Sequence, residues 1–216
     1  MSFDALRARM VDEQLKARGL TDERLLAAFR KVPRHLFLEP AYHEEAYADH
    51  PVPIGGGQTI SQPYIVGLMT SCLRLQGHER VLEIGAGSGY QTAILAELAL
   101  EVFAVERLPE LLQAAQRRLA ALGYLNVHLT TANGTLGWPA HAPYDAILVS
   151  AAAPEVPRPL VAQLADGGRM VLPVGSQETQ TLIEIERRRD ELLRSPVAGC
   201  LFVPLLGRYG WPSSSG

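Results

Sequence analysis

The stretch Val81-Leu82-Glu83-Ile84-Gly85-Ala86-Gly87-Ser88-Gly89-Tyr90 decides the fold. Residues Arg80 to Ile84 form a short apolar run of the kind buried in a parallel sheet. Three glycines at alternate positions then let a ligand come close to the main chain, and helical spacing follows from Gly89 to Leu98. A dinucleotide fingerprint G-x-G-x-x-G would need its third glycine at position 90, where Tyr90 stands. No G-x-x-x-x-G-K-[ST] loop occurs, and Ser88 lacks the flanks of a nucleophile elbow. Glu106 ends the next apolar run, Glu101 to Glu106, where a carboxylate accepts hydrogen bonds from ribose hydroxyls. These features together indicate an adenosine ligand without a pyrophosphate.

Working outward, strand-like and helical runs alternate. A helix is expected over Pro109 to Leu122, with strands at Val127 to Thr131 and Asp145 to Ser150. Helical spacing returns at Val156 to Leu164, before strands at Arg169 to Val174, Thr181 to Glu186 and Val197 to Val203. This alternation predicts an α/β fold: a doubly wound, mostly parallel, seven-stranded sheet, Rossmann-like, with ligands at the carboxyl ends of its strands. Residues 1–77 read differently. Helical spacing over residues 3–18 and 22–31, with Thr21 as N-cap of the second, gives way to a loop rich in Pro and Gly between Pro33 and Pro63. A further helix is expected from Pro63 to Leu73, placing Ser61 just before its N-terminus. Residues 1–77 therefore read as an N-terminal helical appendage with a loop of defined shape, of a kind that often carries function, and residues 78–216 as the ligand-binding domain of one globular unit.

Composition narrows the partners. Twenty Lys and Arg against 23 Asp and Glu leave a net charge of −3, so no general positive field attracts nucleic acid. The basic run Arg187-Arg188-Arg189 reads as a solvated strand end. Cys72 and Cys200 form no C-x-x-C pair, and the six histidines show no metal-ligand spacing. No apolar stretch reaches the roughly eighteen residues that a membrane span needs. A soluble, cytoplasmic chain with no metal is expected, and the lack of a heptad pattern favours a monomer.

The glycine turn with Glu106 resembles that of class I S-adenosylmethionine-dependent methyltransferases. Further segments resemble the protein-L-isoaspartate O-methyltransferase family over almost the whole chain. These are Val32-Pro33-Arg34-His35-Leu36-Phe37, Pro51-Val52-Pro53-Ile54-Gly55 and Gly57-Gln58-Thr59-Ile60-Ser61-Gln62-Pro63 upstream. Downstream lie Ala142-Pro143-Tyr144-Asp145-Ala146-Ile147, Ala151-Ala152-Ala153-Pro154, Gly167-Gly168-Arg169, Leu172-Pro173-Val174-Gly175 and Phe202-Val203-Pro204-Leu205. One departure stands out: the family's usual Gly-Asp-Gly is Ala132-Asn133-Gly134 here.

The resemblance implies that S-adenosyl-L-methionine is the methyl donor and S-adenosyl-L-homocysteine the product. It implies cofactor contacts from Glu83, beneath the methionine ammonium, from Gly85, Gly87, Ser88 and Gly89, from Glu106 on the ribose, and from Asn133 and Gly134. The Asn133 side-chain carbonyl is expected to accept the adenine amino hydrogen bond that the aspartate usually takes. The acceptor implied is the free α-carboxylate of an L-isoaspartyl residue in a damaged peptide or protein. Its methyl ester later closes to a succinimide that partly reopens as aspartate. Ser61 is expected to hold that carboxylate, with Thr59 and Ile60 contributing through their main chain. From spacing alone, Ser61 is equally a simple cap of the following helix. Two rival readings are a methyltransferase with a different acceptor and a non-catalytic adenosine sensor, which would not need residues 58–63.

Overall fold

A computed structural model describes residues 1–212. The chain opens with α1 (Phe3–Met10), which continues through a wider turn at Val11–Leu15 and a tight one at Lys16–Arg18, stopping at Gly19 with φ 92°. Helix α2 (Glu23–Lys31) follows. Its cap is Asp22, not Thr21: the Asp22 carboxylate accepts from the amides of Arg24 at 2.9 Å and Leu25 at 3.4 Å. An acid at that position satisfies two orphan amides and also suits the positive end of the helix dipole.

The proline-rich segment is more regular than a loop. Tight turns at Arg34–Phe37 and Pro40–Glu45 precede a short hairpin of β1 (Val52–Gly55) and β2 (Gln58–Ile60), reversed through Gly56 and Gly57, both at positive φ. Pro53 is tolerated because a two-stranded hairpin leaves edge positions without a required amide donor. Helix α3 (Pro63–Leu73) begins on its proline, as the sequence predicts.

The buried runs then form the seven-stranded sheet. In chain order the strands are β3 (Arg80–Ile84), β4 (Glu101–Glu106), β5 (Val127–Thr131), β6 (Tyr144–Val149), β7 (Leu164–Gly175), β8 (Gln180–Arg188) and β9 (Glu191–Cys200). Their spatial order is β5-β4-β3-β6-β7-β8-β9, parallel through β7 and antiparallel for the last two. Leu82 on β3 sits level with Phe103 on one side and Ile147 on the other. Between β3 and β6 the winding reverses, and a crevice opens there at the carboxyl ends of the strands.

Helices cover both faces. Helices α4 (Tyr90–Ala96) and α5 (Pro109–Ala121) join α3 on one side, and α6 (Arg158–Gln163) lies on the other. Alternation along β3 sends Val81 to one apolar cluster and Leu82 to the other. The cluster holding Val81 also takes Met10, Leu15, Leu26, Phe29, Phe37 and Met69, so the N-terminal helices pack into the same core as the sheet. The basic run departs from expectation at Arg187: its guanidinium bridges the carbonyls of Leu164 at 2.7 Å and Val161 at 3.3 Å, bracing α6 against β8. The apolar stem of an arginine allows this, because a long side chain lies along the sheet while its head finds acceptors.

Phe29 is fully buried and meets Tyr90 edge-on with ring centres 6.2 Å apart. Phe29→Ala is expected to lower unfolding stability by about 3–5 kcal/mol. Urea denaturation followed by far-ultraviolet dichroism measures this, and a loss under about 1 kcal/mol would contradict docking of α2 into the common core.

Candidate active site

A cavity of about 340 Å³ lies at the carboxyl ends of β3, β4 and β6. That is the size range of small-molecule sites. One wall is main chain of the glycine turn, Ile84 to Ser88, with Val105 to Leu108, Gly134, Ser150 and Ala151. The facing wall is Ile54, residues Gly57 to Ser61, and Val66 and Met69 of α3. Val203 to Leu206, from the segment after β9, close a third side.

Glu106 organises the first wall. One carboxylate oxygen accepts from the amides of Arg107 at 2.7 Å and Leu108 at 2.9 Å, and the other accepts from the amide of Gly87 at 2.9 Å. A carboxylate has about four acceptor sites, so one remains open toward the cavity for a hydroxyl. Gly87 has φ 54°, and a Cβ on it would sit 3.2 Å from Ile54 Cδ1, so a side chain there would push the facing wall.

Gly89 has another task. A Cβ there would meet Ala115 Cβ at 3.1 Å, so this glycine lets α4 pack closely on α5. Gly89 does not line the cavity, whereas Gly85, Gly87 and Ser88 do. The alternating glycines thus serve two purposes that spacing alone did not separate.

Glu83 is fully buried behind the turn and does not line the cavity. One of its oxygens accepts from the Thr92 hydroxyl at 2.6 Å, and the other has no partner among the described residues. Burial pushes this carboxyl up to about 8, with the Thr92 hydrogen bond opposing and the nearby Glu106 charge adding to the rise. An orphaned buried acceptor beside a ligand crevice suits a cationic or donating group, such as an ammonium.

Asn133 departs from its expected role. Its side-chain oxygen caps the turn Gly134–Leu136, accepting from the Thr135 amide at 3.0 Å and the Thr135 hydroxyl at 2.8 Å, and Asn133 does not line the cavity. Both lone pairs of that oxygen are engaged, so it has none left for an adenine amino group. Gly134 is the residue of this pair that reaches the cavity.

On the facing wall the structure brings Thr59, Ile60 and Ser61 together at the cavity. Ser61 is not the cap of α3. Gln62 occupies the capping position without a side-chain bond, and the Asp49 carboxylate accepts from the Tyr64 amide at 3.2 Å instead. The Ser61 carbonyl accepts from the Arg34 guanidinium at 2.7 Å, and its hydroxyl has no protein partner among the described residues. Cavity residues not foreseen from sequence include Tyr90, Gln91 and Ser150, together with Leu206. Gln91 is oriented by donating to the Thr70 hydroxyl at 3.0 Å.

A doubly wound sheet with a glycine turn, an acid closing the second strand and a second wall facing them across the crevice defines a class I methyltransferase. Comparison with known proteins narrows this. The model of the protein-L-isoaspartate(D-aspartate) O-methyltransferase family matches residues 6–210. The protein-L-isoaspartate O-methyltransferase 1 of Syntrophobacter fumaroxidans is 54% identical, covering 98% of this chain and 99% of its own. That of Geobacter metallireducens is 55% identical, covering 98% of both. A solved protein-L-isoaspartate O-methyltransferase superposes with TM-score 0.85 at 29% identity, covering 94% of this chain and 67% of the other. A structure from Plasmodium falciparum in complex with S-adenosyl-L-homocysteine shares the fold, with TM-score 0.80 at 24% identity over 93% of this chain and 98% of its own. The chain belongs to the protein-L-isoaspartate O-methyltransferase family.

The raised Glu83 pKa has a stability consequence. The folded protein keeps a proton that the unfolded chain releases above about 4.5, so this residue's contribution is full below that pH and is lost as pH rises through about 8. Glu83→Gln removes the penalty, so the ligand-free variant is expected to gain on the order of 5 kcal/mol over the parent above that window, with little difference at pH 4. Urea midpoints measured from pH 4 to 9 check this, and two parallel curves would contradict it.

Proposed function

We propose that the chain transfers the methyl group of S-adenosyl-L-methionine to the free α-carboxylate of L-isoaspartyl residues in damaged peptides and proteins. The product ester starts repair to aspartyl through a succinimide. The observation that carries this reading is one crevice with two unlike walls: a main-chain and carboxylate wall fit for an adenosyl ligand, and a facing wall offering a free Ser61 hydroxyl. Family membership supports the acceptor, and the Plasmodium falciparum structure in complex with S-adenosyl-L-homocysteine supports the donor.

The residues fit that donor. The open acceptor site on Glu106 suits a ribose hydroxyl and the backbone of Gly85, Gly87 and Ser88 suits the methionine part, while Glu83, buried behind that turn, lies beneath the place its ammonium would take without lining the cavity itself. Bound there, S-adenosyl-L-methionine supplies an activated methyl on a sulfonium and leaves as S-adenosyl-L-homocysteine. An ionised carboxylate needs no general base, so the protein's work is alignment, worth about 7–11 kcal/mol when both reactants are fixed. Ser61 is assigned to the acceptor carboxylate through a charge-assisted hydrogen bond, flanked by the main chain of Thr59 and Ile60. Ile60 is buried, as are Val66 and Met69, so the Ser61 hydroxyl stands against an apolar backing on this wall.

In this reading residues 1–77 act as an appendage carrying the acceptor wall, and residues 78–216 as the donor domain. The reading takes the chain as a monomer in the cytoplasm, as its family resemblance implies; among the described residues its two cysteines are free, and no helix is long and apolar enough to cross a membrane. Asn133 acts on the donor side indirectly, by fixing the turn that presents Gly134.

Two peptides differing only in an aspartyl or isoaspartyl linkage provide the test, with labelled methyl released by base as methanol. Transfer to the isoaspartyl peptide alone is expected, and equal labelling of both would exclude the assignment. Ser61→Ala is expected to lower transfer by about ten- to a hundredfold, from a bond worth about 1.5–3 kcal/mol. Affinity for S-adenosyl-L-homocysteine should stay within about twofold, and a parallel collapse would contradict the division between the two walls.

A further inference from the structure

Among the described residues Arg34 has no carboxylate to pair with. It is fully buried, and both of its hydrogen bonds go to neutral carbonyls, from Nε to Ala46 at 2.7 Å and from Nη2 to Ser61 at 2.7 Å. Among the described residues neither its Nη1 nor the buried Tyr90 hydroxyl has a partner in hydrogen-bonding geometry. The guanidinium carbon nevertheless lies 4.9 Å from the centre of the Tyr90 ring, and that neutral phenol interacts favourably with the cation without balancing its charge. Asp49, the carboxylate that acts on it from a distance, is committed to Arg18 at 2.7 Å. Burial pulls the guanidinium down only to about 10, so it stays charged at neutral pH.

Burying a cation in this way costs several kcal/mol unless a counter-charge offsets it. Two features show where the offset arises. The fork of Arg34 joins Ala46 and Ser61, so one rigid group fixes the main chain at the residue assigned to the acceptor. Ser61, whose carbonyl it bonds, and Tyr90, whose ring it faces, both line the cavity, so its charge, which no carboxylate among the described residues offsets, stands behind the wall that an anionic acceptor would face. A low-dielectric interior preserves that field, where water would screen it.

We propose that Arg34 is a positioning residue for the acceptor carboxylate: it fixes Ser61 through the carbonyl and supplies the positive field that draws the anion to that wall. This rests on the functional reading above. The acceptor then completes the charge balance that the folded protein leaves open, and the donor site plays no part in it.

Arg34→Lys keeps a charge but cannot span both carbonyls. In the full-length chain it is expected to raise the KM for an isoaspartyl peptide about tenfold or more, while affinity for S-adenosyl-L-homocysteine changes by less than about twofold. Because Arg34 acts through Ser61, the same substitution made in Ser61→Ala is expected to cost less than about threefold. Equal losses in both backgrounds, or a matching loss of S-adenosyl-L-homocysteine affinity, would overturn the proposal and leave Arg34 a structural clamp.

A second measurement needs no variant to fold. The Arg34 Nε–H resonance of the unsubstituted protein, saturated with S-adenosyl-L-homocysteine, is expected to shift on titration with the isoaspartyl peptide and not with its aspartyl twin. An unmoved resonance would overturn the proposal. If the unsubstituted chain transferred no methyl to the isoaspartyl peptide, the functional reading itself would fail and this inference with it. Normal transfer with an indifferent Arg34 would sink the inference alone.

Discussion

Everything at the donor wall hangs on the Glu106 carboxylate. It collects the amides of Gly87, Arg107 and Leu108, tying the glycine turn after β3 to the end of β4 with three charge-assisted bonds. Two loops that would otherwise move independently become one surface whose amides are already directed. The same tie leaves one acceptor position free, so in the proposed reading the anchor is also the ligand contact. Glu83 lies behind this surface with an unpaired oxygen, and its burial holds the proton that a cationic ligand would displace.

The facing wall follows a parallel logic with the opposite sign. There a buried cation gathers carbonyls: Arg34 reaches Ala46 and Ser61, elements that sequence separation would leave loose. Phe37, Ile60, Met69 and Tyr90 share one apolar cluster with the N-terminal helices, so the wall is supported from below by the common core. A cavity lined by a fixed anion on one side, with a buried cation behind the other wall, is suited in the proposed reading to a positive donor meeting a negative acceptor. Neither wall needs to supply acid–base chemistry.

Much of this was legible in the residues. The apolar run ending at Ile84, the glycines after it and Glu106 specify the sheet, its switch point and the donor wall, because strand burial and turn geometry are local properties. What escaped was non-local. Gly89 reads like its neighbours, yet its neighbour in space is Ala115 on α5. Asn133 offers the right acceptor on paper, but Thr135 takes it as a cap two residues on. Ser61 reads equally as a helix cap, a task that Asp49, fifteen residues before Tyr64, takes over by accepting the Tyr64 amide. Arg34 sat inside a family-like segment with no hint that it would be buried, and Val203 to Leu206 reach the cavity only because the chain returns to bridge Ala152.

The most direct test of the account is calorimetric titration of the purified chain with S-adenosyl-L-homocysteine. A crevice organised by Glu106 predicts a single saturable site per chain, weakened sharply in Glu106→Ala. No heat of binding in the parent chain, or undiminished binding in that variant, would contradict the claim that this carboxylate builds the donor site.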